Sequence, residues 1–93
     1  MPKQSRDLPK HFKEYSEGLA KANGTRIEER RRQLKLTQET LRIKLELENA
    51  YVTRSQLSRL ENGERLPDAS EIIALSHVLK VSLQWLLLGD IED

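Results

Sequence analysis

The residues best equipped for chemistry lie in the run TRSQLSRLENGERLP, from Thr53 to Pro67, and are Arg54, Ser55, Ser58 and Arg59. An Arg guanidinium matches the O6 and N7 acceptors of guanine with two parallel hydrogen bonds, and a Ser hydroxyl both donates and accepts. The chemistry on offer is therefore hydrogen bonding to base edges. The spacing puts these groups on one short helix. Thr53 and Gln56 form a capping box, the Thr hydroxyl taking the Gln56 backbone N–H while the Gln side chain reaches back. Leu57 and Leu60 share an apolar face, and the four polar residues lie largely off it. Asn62-Gly63 stops the helix, because both residues tolerate the left-handed conformation that ends helices. Taken alone, the run suits an amphipathic surface helix with a good cap and stop equally well.

The elements that would position this helix are found on both sides of it. Upstream, Thr37-Gln38 opens a capped segment with Leu41 and Leu45 on one face. Downstream, Pro67-Asp68-Ala69-Ser70-Glu71 opens another before Ile72, Leu75 and Leu79, and VSLQWLLLGD at 81–90 supplies a short, very apolar closing helix. This order of pieces closely resembles the DNA-binding domain of the lambdoid phage repressors and Cro proteins, the large family of xenobiotic-response-element type regulators. The resemblance covers roughly Thr25 to Asp90. It is carried by RRRQLKLTQ at 30–38, SQLSRLENG at 55–63, Pro67 with the helix from Ile72 to Leu79, and SLQWLLLGD at 82–90. Each motif is loose by itself, and the four in this order are specific. The resemblance implies an all-α, five-helix lambda-repressor-like fold, here with an additional N-terminal helix and a lengthened helix-turn-helix connection.

Composition agrees with that class. Ninety-three residues allow one small domain, with a core that is marginal without a partner chain or very efficient helix packing. Charged residues make up 33% and aromatics 4%, with no strand-like alternation, so an all-helical fold is expected. The absence of cysteine excludes disulfide staples and thiolate metal sites and suits a reducing cytosol. No apolar run is long enough to span a bilayer, and the polar N-terminus lacks a signal core, so a cytoplasmic, nucleoid-associated location is expected. The net charge is only +1, but residues 1–44 carry twelve Lys/Arg against six Asp/Glu, and residues 45–93 four against nine. Such asymmetry can give a basic face to a nearly neutral molecule, although charge blocks are usually just solvated surface.

Residues 1–24 are expected to be an arm and an extra helix, with the helix-turn-helix domain occupying 25–93. Leu8, Phe12, Tyr15, Leu19 and Ala22 recur at helical spacing and predict a helix with Pro9 in its first turn, ending at Asn23-Gly24. This helix would brace the domain, make a dimer contact, or carry a basic arm to phosphates. Thr25 with Glu28 then reads as a new capping box, opening a helix with Ile27 and Leu34 inward and an end near Lys35. The run Arg30-Arg31-Arg32 by itself suits a phosphate-binding patch. By the resemblance, Arg31 instead pairs with Glu61, which would orient the first family helix against the recognition helix.

The connection before the recognition helix departs from the family pattern. Residues 46–51, ELENAY, replace what is commonly one residue, and Arg42 stands where a small Ala is usual. Either the second helix, from Gln38 to about Leu47, runs a turn longer before a looser connection, or the recognition helix is displaced. Val52 favours the first reading, as an apolar residue just before the cap suits a hydrophobic staple.

Carried over residue by residue, the resemblance implies that Arg54, Ser55, Ser58 and Arg59 contact bases in the major groove. It implies phosphate contacts from Gln38 with the N-terminal amides of its helix, Thr53, the backbone at Asn62 and Gly63, and Arg65. In the closing helix, Trp85, Leu86, Leu87 and Leu88 point to every side. Leu83, Leu86 and Leu87 could close the core with Trp85 capping it, or Trp85, Leu88 and Ile91 could form a symmetric dimer interface.

The expected function is a sequence-specific transcriptional regulator, a repressor of phage or prophage type that binds a palindromic operator as a homodimer. Two alternatives stay open. One is an antitoxin or restriction-modification controller built on the same domain, with a small protein partner such as a toxin or antirepressor; the other is a protein-interaction module. No enzyme, cofactor, catalytic group or metal site is expected. His77 lies near Leu75 and Leu79 as a surface or core-edge residue, and no phosphate loop, metal-ligand spacing or nucleophile motif is present. No room is expected after Asp93 for a self-cleaving or inducer-binding domain, which leaves regulation to concentration, partner binding, proteolysis or arm rearrangement.

Overall fold

The computed structural model of the chain describes residues 10–90. Five helices follow one another: α1 (Lys10–Gln33), α2 (Gln38–Leu47), α3 (Arg54–Glu61), α4 (Ala69–Leu79) and α5 (Leu83–Leu88). They share one core built from Ile27 of α1, Leu41 and Leu45 of α2, Leu57 of α3, Ala74, Leu75 and Leu79 of α4 and Leu86 of α5. Among the described residues no helix is long and apolar enough to cross a membrane.

The two N-terminal helices expected from sequence are one. Asn23 and Gly24 lie inside α1 rather than ending a helix, and both are buried. Local signals were overridden here by tertiary contact. Gly24 is the point where α1 crosses the end of α3: a methyl group there would come within 2.6 Å of the Glu61 carbonyl oxygen and closer still to that of Leu60. Asn23 donates from Nδ2 to the Leu86 carbonyl oxygen at 2.7 Å, tying α1 to α5. These contacts offset the roughly 1 kcal/mol that a mid-helix Gly costs relative to Ala. Thr25 accordingly does not cap; its hydroxyl donates back to the Lys21 carbonyl oxygen at 3.1 Å, and Glu28 pairs with Arg32 at 2.6 Å. The arm, Leu8 and Pro9 fall outside the described residues.

The later helix starts follow their caps. Thr37 caps α2 by accepting the Thr40 N–H, and Thr53 and Asp68 open α3 and α4 with complete capping boxes. The lengthened connection is absorbed in a compact turn. Helix α2 stops at Leu47, Asn49 takes φ +67°, and Asn49 and Ala50 donate their N–H groups to the Glu46 and Leu45 carbonyl oxygens at 3.0 and 2.9 Å. This is a Schellman stop with Asn in the left-handed position. Ala50 and Val52 turn into the core, so the insertion contributes packing rather than a free loop. Val52 and Leu57 occupy the two staple positions around the Thr53 cap. Arg42 is half-buried and pairs along α2 with Glu39 at 2.8 Å and Glu46 at 3.4 Å.

Candidate nucleic-acid interface

Helix α3 is held from below and presents a polar upper surface. Leu57 and Leu60 are fully buried, which fixes the helix about its axis and leaves Arg54, Ser55 and Arg59 exposed and Ser58 half-buried. The capping box fixes its start: the Gln56 N–H donates to Thr53 Oγ1 at 3.0 Å, and the Thr53 N–H donates to Gln56 Oε1 at 2.8 Å. Gln56 is thereby committed to structure.

The other end is fixed by charge. Arg31 donates from Nε to Glu61 Oε2 at 2.6 Å and from Nη2 to Oε1 at 3.0 Å, with side-chain exposures of 9% and 3%. A third donation, from Arg31 Nη1 to the Leu36 carbonyl oxygen at 2.9 Å, ties in the α1–α2 turn. Gln38 Nε2 adds a bond to Glu61 Oε1 at 3.0 Å. One buried carboxylate thus joins α1, α2 and α3. The hydrogen bonds it donates to Glu61 hold the Arg31 guanidinium even more firmly protonated than usual, against the opposing effect of burial.

The loop after α3 is equally constrained. Gly63 has φ +74° and packs on the Lys21 backbone, where a Cβ would come within 2.5 Å of Lys21 Cα. Arg65 grips Glu71 with two bonds, 2.8 and 3.0 Å, and Glu71 also accepts the Asp68 N–H at 2.8 Å. The Arg65 guanidinium, followed by the Asp68 backbone bond, holds the Glu71 carboxyl below its usual range despite burial. The Asp68 carboxyl is likewise lowered, first by the Glu71 backbone N–H it accepts and then by the Ser70 hydroxyl.

The structure therefore brings Arg54, Ser55, Ser58 and Arg59 onto one helix surface, with Thr53 at its start and Asn62 exposed beyond its end. Gln38 and Arg65, read from sequence as phosphate contacts, each have a carboxylate partner already. Sequence reasoning passed over the Glu39–Arg42 pair. Its Arg42 partner lowers the Glu39 carboxyl most, and the positive charge of Arg54 acts in the same direction, so an acidic group stands near the start of α3. The spacing of Glu39, Arg42 and Glu46 along one helix face was the available signal.

At the far end of the domain, Leu86 alone of the α5 leucines is fully buried, with Trp85 partly buried against the core. Leu83 and Leu87 do not close the core as one sequence reading had it; they are 43% and 36% exposed, and Leu88 is 54% exposed. A six-residue helix with apolar groups all round turns only part of its surface to the core. Ile91 lies outside the described residues. His77 is exposed, with Nδ1 3.0 Å from Glu48 Oε1.

The helix-turn-helix family model matches residues 27–86, from the last third of α1 into α5. The chain belongs to the helix-turn-helix family of xenobiotic-response-element type. Among curated proteins, it is 40% identical over 70 residues to the HTH-type transcriptional regulator DicA of Escherichia coli K12, covering 75% of this chain and 47% of that protein. It is 38% identical over 63 residues to the uncharacterized HTH-type transcriptional regulator YqaE of Bacillus subtilis 168, covering 68% and 50%. The chain thus spans about half the length of these relatives. No solved structure gives a significant match. Within the helix-turn-helix frame, α2 and α3 are the paired helices, and the part of α1 before Ile27 lies outside the matched region.

Proposed function

We propose that this chain is a DNA-binding transcriptional regulator that acts as a repressor by occupying a palindromic operator as a homodimer. The observation that carries the reading is the surface of α3: two Arg and two Ser side chains turned away from the core on a helix fixed at its start by a capping box and at its end by Arg31–Glu61. A rigid helix with free guanidinium groups suits the major groove, where each well-formed Arg–guanine pair contributes about 1–3 kcal/mol of discrimination. Arg54 and Arg59 are the base-reading residues in this account, with Ser55 and Ser58 beside them.

Thr53, the backbone at Asn62 and Gly63, and the N-terminal amides of α2 hold phosphates, since helix N-termini carry unsatisfied N–H groups and a favourable dipole. Gln38 and Arg65 each keep an N–H not engaged by their carboxylates and take part from those anchored positions. Two copies joined near Trp85 and Leu88 would set two α3 helices about one DNA turn, ~34 Å, apart. A location in the cytoplasm follows from this reading. The family membership and the names of the relatives support it.

The test is selection of the purified protein on random duplex DNA. The expected result is an enriched inverted repeat with half-sites about 10–10.5 base pairs apart, centre to centre. Failure to enrich any motif would overturn the reading.

A further inference from the structure

The C-terminal end of α3 does not by itself suit a phosphate. Helix C-termini carry partial negative charge from carbonyl groups without partners. The backbone N–H groups that could oppose it are already engaged: Asn62 donates to the Ser58 carbonyl oxygen at 2.9 Å, Gly63 to that of Leu60 at 3.1 Å and Glu64 to that of Arg59 at 3.0 Å. Glu64 adds an exposed carboxylate, and Arg65, the next cation in the chain, grips both oxygens of Glu71. A phosphate lying against Asn62 and Gly63 therefore needs a positive charge from outside the loop.

Lys21 of α1 stands where that charge is wanted. Gly63, at φ +74°, lies so close to α1 that a Cβ there would be 2.5 Å from Lys21 Cα and 3.1 Å from Lys21 Cγ. The stem of the Lys side chain thus runs beside the Gly63 backbone, an arrangement that lets the stem pack while the ammonium stays in water. Lys21 is exposed and belongs to none of the ion pairs among the described residues. The carboxylate at the end of α3 does not claim it, because Glu61 already accepts from Arg31 and Gln38. Further up the helix, Lys13 and Glu17 line one shallow depression with Gly63, Glu64 and Arg65, so α1 continues along the flank of the loop. Lys21 also precedes residue 27, where the family match begins.

We propose that Lys21 is a phosphate contact, its ammonium, carried beside the Gly63 backbone, holding the DNA strand against the end of α3. This rests on the DNA-binding reading above and extends its interface from α2 and α3 onto α1. An ammonium acts as a point charge and phosphates recur along every duplex, so the contact adds affinity and fixes how the domain sits without choosing a sequence.

Fluorescence anisotropy titrations of the selected operator duplex at several salt concentrations test it, with the full chain as wild type, Lys21→Gln, Lys21→Arg and Lys44→Gln. Lys44 shares a depression with His77 and Lys80 at the end of α4, and Lys44→Gln makes the same change in net charge. The slope of log K against log salt should be shallower for Lys21→Gln than for wild type by about 0.9, the share of one phosphate, so that the wild-type advantage shrinks about threefold between about 50 and 200 mM salt. The loss should be equal on operators with altered half-site G·C pairs, Lys21→Arg should keep the wild-type slope, and thermal melts without DNA should hardly move. A Lys21→Gln slope equal to that of wild type, or lowered no more than by Lys44→Gln, would overturn the contact and leave DNA binding standing. So would a lower melting temperature with an unchanged slope, the result for a cation that only offsets the α3 carbonyl dipoles. A wild-type chain that binds no duplex would overturn the DNA-binding reading and the contact together.

Discussion

The guanidinium of Arg31 and the carboxylate of Glu61 meet through two nearly parallel hydrogen bonds, 2.6 and 3.0 Å, in a place almost closed to solvent. The pair joins the last turn of α1 to the last residue of the helix that carries Arg54 and Arg59. Its geometry makes both residues hard to remove singly, because the survivor is a buried charge. Arg31→Ala or Glu61→Ala should each cost roughly 3–5 kcal/mol of unfolding free energy. Replacement of both by apolar residues of similar volume should cost clearly less than either single change. Urea denaturation of the three variants measures both effects.

Two glycines in one helix should respond in opposite ways. At Gly24 an added methyl meets the carbonyl oxygens of Leu60 and Glu61, whereas at Gly18 it meets nothing within 4 Å. Gly24→Ala should destabilise by about 1–3 kcal/mol through overpacking. Gly18→Ala should stabilise by up to about 1 kcal/mol through helix propensity. Thermal melts of both variants at a fixed protein concentration give the comparison.

The loop clasp predicts a pH window. The Glu71 carboxyl is lowered in the folded chain by Arg65, so the unfolded chain binds more protons than the folded one at mildly acidic pH. The stability this contributes is fully present above the unfolded value, about 4.3, and is lost as pH falls through the lower folded value. Asp68, lowered by its bonds to Glu71 and Ser70, acts in the same direction. Arg65→Ala should therefore reduce stability at neutral pH and flatten its decline between about pH 5 and pH 3. Chemical denaturation across that range checks the slope.

Removing the cap should loosen α3 without altering the exposed Arg54, Ser55 and Arg59 on its surface. Thr53 supplies one half of a complete capping box. Thr53→Ala should cost about 0.5–2 kcal/mol, and Thr53→Ser should restore most of it. Amide hydrogen exchange at Gln56 provides a local readout, and exchange there no faster in Thr53→Ala would contradict the cap's role.

What could be read from the chain beforehand was whatever neighbouring residues decide. Thr37, Thr53 and Asp68 start helices because the oxygen that satisfies an orphan N–H sits three residues from it. Asn62-Gly63 ends one because a single left-handed residue suffices. Asn23-Gly24 offered a similar stop signal and did not act as one, because α3 and α5 arrive there from 37 and 63 residues further along, at Leu60–Glu61 and Leu86, and make a continuous helix worthwhile. The occupation of Gln38 by Glu61, 23 positions away, was invisible for the same reason. Arg65 and Glu71 are only six apart, but across a turn whose shape no local rule specified. The polar surface of α3 was legible because Leu57 and Leu60 alone determine which side faces in. The leucines of α5 were not, since six residues with apolar groups all round do not say which one the core will take.

On the proposed function, Arg54 and Arg59 read bases rather than simply adding positive charge. A double-mutant cycle tests it most directly: wild type, Arg54→Ala and Arg59→Ala titrated at one salt concentration against the selected operator and against operators with single half-site G·C pairs changed. Each Arg variant is expected to lose discrimination at one particular G·C pair, with a coupling of about 1–3 kcal/mol, and to keep it at the others. If both variants bind every operator more weakly by the same factor, with no coupling to any base pair, α3 does not read sequence through these residues.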